Sequence, residues 1–143
     1  MTSLSNFLKQ NKSARKNIKY VASKEFCDED GLAIEWELRS LTTKDDERIR
    51  EECTTWIPSK KNPNVTFPKM NTKEYISKML VNSVVYPDLH NAELQDSYGV
   101  KTTEDLLYEL IDNPGEYADF GAFVQNLNGF NISFDEKVQE GKN

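Results

Sequence analysis

The sequence predicts a mainly α protein with one N-terminal β-hairpin, a small α+β domain of about five to six helices. Three observations lead there. Leu32, Ile34, Trp36 and Leu38 alternate with Ala33, Glu35, Glu37 and Arg39 just after the turn-forming Asp28-Glu29-Asp30-Gly31, the period-two pattern of a strand with one buried face. NTKEYISKMLVNSVVY, residues 71–86, repeats apolar residues at helical spacing. After Pro87, three shorter segments each begin on a residue suited to cap a helix.

Element by element, SLSNFLKQN predicts one helical turn, with Ser3 as its cap and Leu4, Phe7 and Leu8 on one side. It belongs to a flexible basic arm over 1–17, ahead of a single globular domain over 18–140. The hairpin spans 18–40, with Tyr20, Ala22 and Phe26 on the partner strand and Gly31 free to take a positive φ in the turn. Helices fill 43–139. The first, TTKDDERIREECTTWI, is capped by Thr42 or Thr43, with Asp45, Asp46 and Glu47 where the helix dipole favours negative charge. Its narrow apolar stripe is Ile49, Cys53, Trp56 and Ile57.

PSKKNPNVTFPKM, residues 58–70, has three prolines and no periodicity, so it predicts a mobile loop. The central core helix follows. Asn71 or Thr72 caps it, Tyr75, Ile76, Met79, Leu80, Ser83 and Val84 form its broad face, and Pro87 stops it. HNAELQDSY ends at Gly99 as a C′ residue. KTTEDLLYELID begins with Thr102 and Asp105 as a capping box and turns Leu106, Leu107, Leu110 and Ile111 inward. NPGEYADFGAFVQNLNG has Pro114 at N1 and Gly129 at C′, and Gly121 inside it points to a kink or a close helix contact. ISFDEKVQEGKN is an acidic, weakly amphipathic tail.

Composition narrows the function. A chain of 143 residues is long enough to bury roughly 70% of its unfolded surface. The hydrophobic fraction of 37% is lean and the net charge is −6, an expectation of a well-hydrated protein in the cytoplasm. No run approaches the roughly 18 apolar residues of a membrane helix, and MTSLSNFLKQNKSARK has no apolar signal region. Cys27 and Cys53 form no CxxC pair and read as reduced thiols. Charge is uneven: residues 1–24 hold six cations and no acid, while 101–143 hold three lysines and nine acids. The acidic total argues against nucleic acid as partner, although the basic arm suits an acidic one.

Two stretches imitate functional sites. Counting from Phe26, residues Asp28, Asp30, Gly31 and Glu37 fall at positions of a calcium loop, but position 1 lacks its carboxylate and the flanks alternate like strands. VVYPDLHNAELQDSYGV, residues 84–100, holds the chain's one histidine, His90, beside Asp88, Glu93, Asp96 and Ser97. A zinc site needs three or four converging ligands, and no second histidine exists. Asp88 and His90 read instead as a helix connector with Asn91 as the next cap. No phosphate loop occurs. The expectation is therefore no enzyme, no catalytic residues, no metal, no cofactor and no small-molecule substrate.

The phrases LSNFL, SKEFCDEDGLAIEWELRSLT, VVYPDLHNAELQDSYGV and NPGEY…VQNLNGF are similar to the XkdN-like phage tail assembly chaperones of tailed phages and PBSX-like defective prophages. That resemblance implies a non-enzymatic protein of the bacterial host cytoplasm. It would coat the tape-measure protein, keep that client's apolar helices soluble, and be absent from the finished virion. The alternative is a minor structural tail or baseplate adaptor. The family also implies a frameshifted longer form that recruits the tail-tube protein. Gly141-Lys142-Asn143 is compatible with a slippery A AAA AAC codon run. Candidate client contacts are apolar residues without an obvious core place, Trp56, Tyr86, Leu89, Leu94 and Tyr98; the competing reading makes them core or boundary residues. Self-association is a further contact open to the chain.

Overall fold

The computed structural model describes residues 3–130; the expected acidic tail lies outside them. Ser3 caps the first of two short 3₁₀ turns, Leu4–Phe7 and Lys9–Asn11, accepting from the Ser5 amide. The chain then enters β1 (Ile18–Tyr20), which pairs antiparallel with β2 (Trp36–Leu38), Tyr20 opposite Trp36. Between them pairing survives only as a bridge from Cys27 to Ala33. The Asp28 carboxylate accepts from the amides of Asp30 and Leu32, and Gly31 adopts φ +80°. Leu32, placed by its alternation on a buried face, is exposed at this tip, whereas Trp36 and Leu38 are buried.

The expected fold class requires correction. The described residues hold five helices and five strands in two sheets, not one N-terminal hairpin on a mainly α frame. The helix from Thr42 runs only through α1 (Thr43–Glu52), and the chain then forms β3 (Thr54–Pro58) and β4 (Thr66–Met70). Trp56 and Ile57 are thus strand residues, and the stretch expected to be a loop over 58–70 is largely the second half of a hairpin. Thr54, Thr55, Trp56 and Ile57 are β-branched or aromatic, types that suit a pleated surface better than a helix end. The prolines do not prevent pairing. Backbone bonds from Asn71 N to Cys53 O and from Ser59 N to Val65 O set the ladder's phase. Trp56/Pro68 and Pro58/Thr66 are then the non-hydrogen-bonded pairs, whose backbone groups point out of the ribbon. Pro58 and Pro68 cost it no ladder bond.

The second correction is at the end of the central helix. α2 (Thr72–Ser83) gives way to β5 (Val84–Tyr86), which pairs with the free edge of β2 in the order β1-β2-β5. Val84 and Val85 favour the extended chain, and Arg39 receives the helix end. Its amide donates to Ser83 O, and its Nε donates to Asn82 O at 3.0 Å. The Tyr86–Pro87 peptide is cis. Three helices follow: α3 (Ala92–Ser97), α4 (Thr103–Leu110) and α5 (Pro114–Leu127).

Two apolar clusters meet across α2. The larger joins Trp36 and Leu38 of the sheet to Leu80, Leu89, the α4 leucines, Phe120 and Val124. The smaller joins Leu41, Ile49, Cys53, Tyr75 and Met79. Gly121 does bring α5 close to α2, but an added Cβ would sit 3.9 Å from Leu80 Cδ1, an ordinary contact. Asn128 fastens the end of α5: its Oδ1 accepts from Leu41 N at 2.6 Å, and its Nδ2 donates to Ser83 Oγ at 3.2 Å. At the other end of α5, the Glu116 carboxylate accepts from the buried Ser23 hydroxyl and from Lys24 N.

Each of the five described α-helices begins on a side-chain cap, from Thr42, Asn71, Asn91, Thr102 and Asn113. Thr42 and Asp45 close a full capping box, whereas Thr102 and Asp105 make only its forward bond. The bond from Thr42 N, with Arg39 and Arg48 nearby, holds the Asp45 carboxyl below the usual carboxylate range. A carboxyl depressed by folding stabilises most when ionised in both states. Asp45→Ala should therefore lower stability by about 1 kcal/mol at pH values above roughly 3.9, the usual unfolded value. The deficit should shrink as the pH falls through the lower folded value. Urea unfolding of both proteins across pH 2.5–7 checks this; a constant deficit would refute it.

Candidate partner-binding surface

The β3–β4 ribbon is attached at one end. Met70 packs on the smaller cluster, and the bond from Asn71 to Cys53, at 2.8 Å, closes the base. Beyond that, the strands contact chiefly each other. Side chains alternate across a ribbon, so Trp56 shares one face with Pro58 and Pro68, while Ile57 and Phe67 share the other. Trp56 is 65% exposed, Phe67 47%, and Val65 beside the turn 52%. Burying a large apolar side chain is worth about 1.5–3 kcal/mol, so leaving these in water makes the ribbon a candidate interaction surface. Residues 54–70 also carry Lys60, Lys61 and Lys69 and no acid, and none of these lysines is ion-paired among the described residues.

The residues singled out from the sequence do not form one patch. Trp56 lies on this ribbon. Tyr86 is exposed at the end of β5, in the other sheet. Leu89 is 3% exposed and belongs to the larger cluster, so the expectation of a partner contact there is corrected: it is a core residue. Leu94 and Tyr98 are half-buried against the same cluster. Sequence reasoning missed Phe67 and Val65, because three prolines obscured the strand. The available signal was the pair of apolar runs TTWI and VTF on either side of KKNPN. A second exposed apolar set, Leu4, Phe7 and Leu8, lies on the basic arm, which Arg15 ties to Leu41 O at 3.2 Å.

Polar side chains of the 84–100 stretch complete backbone hydrogen bonds. Asp88 accepts from the His90 amide, and Asn91 caps α3 through the Leu94 amide. No group of three histidine, cysteine, aspartate or glutamate side chains suited to a metal ion occurs among the described residues. Burial and a hydrogen bond to Asp46 push the Tyr75 hydroxyl up to about 12, while Arg50 stacks over its ring at 4.5 Å and ties α1 to α2. Burial likewise pushes up the Cys53 thiol. No described helix is long and apolar enough to cross a membrane.

Comparison with known proteins supplies the family. The family model described as phage XkdN-like tail assembly chaperone protein matches residues 4–142. The chain belongs to this family. It is 25% identical over 128 residues to the phage-like element PBSX protein XkdN of Bacillus subtilis (strain 168), covering 90% of this chain and 85% of that one. It is 23% identical over 121 residues to the uncharacterized protein YqbN of the same strain, covering 85% and 80%. The crystal structure of YqbN shares the fold at a TM-score of 0.77 and 21% identity, over 92% of this chain and 99% of that one.

The surface and core assignments predict opposite responses to truncation. Leu89→Ala should destabilise by about 2–5 kcal/mol. Trp56→Ala and Tyr86→Ala, at exposed positions, should each change stability by less than about 1 kcal/mol. Urea midpoints of the three variants decide between them; a large loss at Trp56 would place it in a core.

Proposed function

We propose that the chain binds and solubilises the tape-measure protein while a phage or prophage tail is assembled, and that it leaves before the virion is complete. The match to the tail assembly chaperone family across residues 4–142 carries this reading. Its physical support is a body of net charge −6 that displays Trp56, Phe67 and Tyr86 to water. Such side chains bury the apolar stripe of a client helix, while the charge keeps the loaded complex dispersed. The role is one of binding, performed in the host cytoplasm without catalysis. A longer form, made by a −1 slip at the Gly141-Lys142-Asn143 codons, would bring in the tail-tube protein.

Co-expression tests the client. The tape-measure protein of the same phage or prophage should move from the pellet to the soluble fraction when this chain is present. Trp56→Ala/Tyr86→Ala should reduce that soluble share several-fold while remaining folded itself. An unchanged share would remove these residues from the client surface, and no solubilisation by the parent chain would end the reading. Mass spectrometry of purified particles should find the chain absent. A stoichiometric signal would make it a structural tail or baseplate component instead.

A further inference from the structure

We propose that the β3–β4 ribbon of one copy seats on the outer face of α4 in a second copy. The ribbon edges are blunted against one common mode of pairing. Among the outward-pointing backbone positions, Pro58 on one strand and Pro68 on the other each lack an N–H for an added strand. A partner meeting the side-chain faces forgoes no such bond. Those side chains are apolar on both faces, and three lysines without a compensating acid surround them. A two-stranded ribbon is marginal alone in water, so covering its faces stabilises it as well as the contact.

The complementary surface is present on the same chain. Asp105, Tyr108 and Glu109 stand at i, i+3 and i+4 of α4, all exposed, opposite the buried Leu106, Leu107 and Leu110. Tyr108 is 41% exposed and stacks on Tyr117 at 5.2 Å, so it is held in place. Asp105 and Glu109 are not ion-paired among the described residues, although Lys73 lies near Tyr108. Just past the helix, Asp112 sits against Glu25, and this like-charge contact raises the Glu25 carboxyl. The α1 carboxylates Asp45 and Asp46, by contrast, are already answered by Arg39, Arg48 and Arg50. Lysines from a second copy would relieve the α4 cluster, with the Phe67 ring, on the ribbon face that also carries Ile57 and Lys69, against Tyr108. The two patches differ, so the contact is heterologous and joins copies head to tail.

Sedimentation velocity over a concentration series, without any client, tests this. The weight-average mass should rise above the 16.5 kDa of one chain and fall back as salt screens the charges. Lys60→Glu/Lys61→Glu/Lys69→Glu and, separately, Glu109→Lys/Asp112→Lys should each weaken association roughly tenfold or more. Circular dichroism should report both as folded, since every altered position is exposed. Mixing the two charge-reversed proteins should restore association. A chain that remains at 16.5 kDa throughout, association indifferent to both sets, or a mixture that stays monomeric would each overturn the proposal. Phe67 is offered to both contacts, so client and second copy compete for the ribbon, and the client-free measurement reads self-association alone.

Discussion

The structure is organised by the position of α2 between two apolar clusters. Leu80 closes the larger one beneath the three-stranded sheet, while Tyr75 and Met79 close the smaller one against α1. Both ends of the helix then position the elements that follow. At its start, Asn71 caps α2 through the Glu74 amide and also donates its own amide to Cys53 O. The base of the ribbon and the beginning of the helix are thus one junction. At its end, Ser83 accepts from the Arg39 amide and its hydroxyl meets Asn128. That second junction directs the next residues onto β2 and locks α5 to the entry of α1. The exposed ribbon and the packed sheet are consequences of one buried helix.

This arrangement explains what was legible in the sequence. Helix starts were read correctly because an Asn or Thr cap acts within three residues, and all five such caps are made. The inward faces of α4 and α5 were equally clear, since Leu106, Leu107 and Leu110, with Phe120 and Val124, follow a single helical stripe. The strands that depend on distant partners were not. β5 is a three-residue piece that exists because β2 offers an unpaired edge, something no local pattern announces. The ribbon failed for a different reason. Its prolines are breakers by type but harmless by position, and that position is set by a ladder phase that only the pairing reveals. The choice of candidate contact residues inherited both errors. Leu89 looked unplaced because its cluster gathers the sheet, α2, α4 and α5, and Phe67 was overlooked because its strand was taken for a loop.

The 84–100 stretch shows the same distinction in chemical terms. His90, Asp88, Glu93 and Asp96 resemble a site when read along the chain, yet the Asp88 carboxylate is committed to the His90 amide and the Asn91 side chain to the Leu94 amide. Gln95 Nε2 donates to Leu89 O at 2.8 Å and draws the connector down onto the core. The Asp88 and Asn91 side chains here complete backbone hydrogen bonds at a helix entrance, where unsatisfied amides would otherwise remain.

Charge and apolar surface are sorted by segment. Residues 54–70 are basic and display rings, the 1–24 arm is basic and displays Leu4 and Phe7, and both segments lack acids, which lie elsewhere in the chain. Exposed apolar side chains that can meet a partner also invite aggregation. Two features restrain that outcome. The net charge of −6 repels other copies at long range. Pro58 and Pro68 each remove one outward-pointing donor and so blunt the ribbon edges against strand addition, a route by which exposed hairpins aggregate. Contact through the side-chain faces is favoured over contact through the backbone.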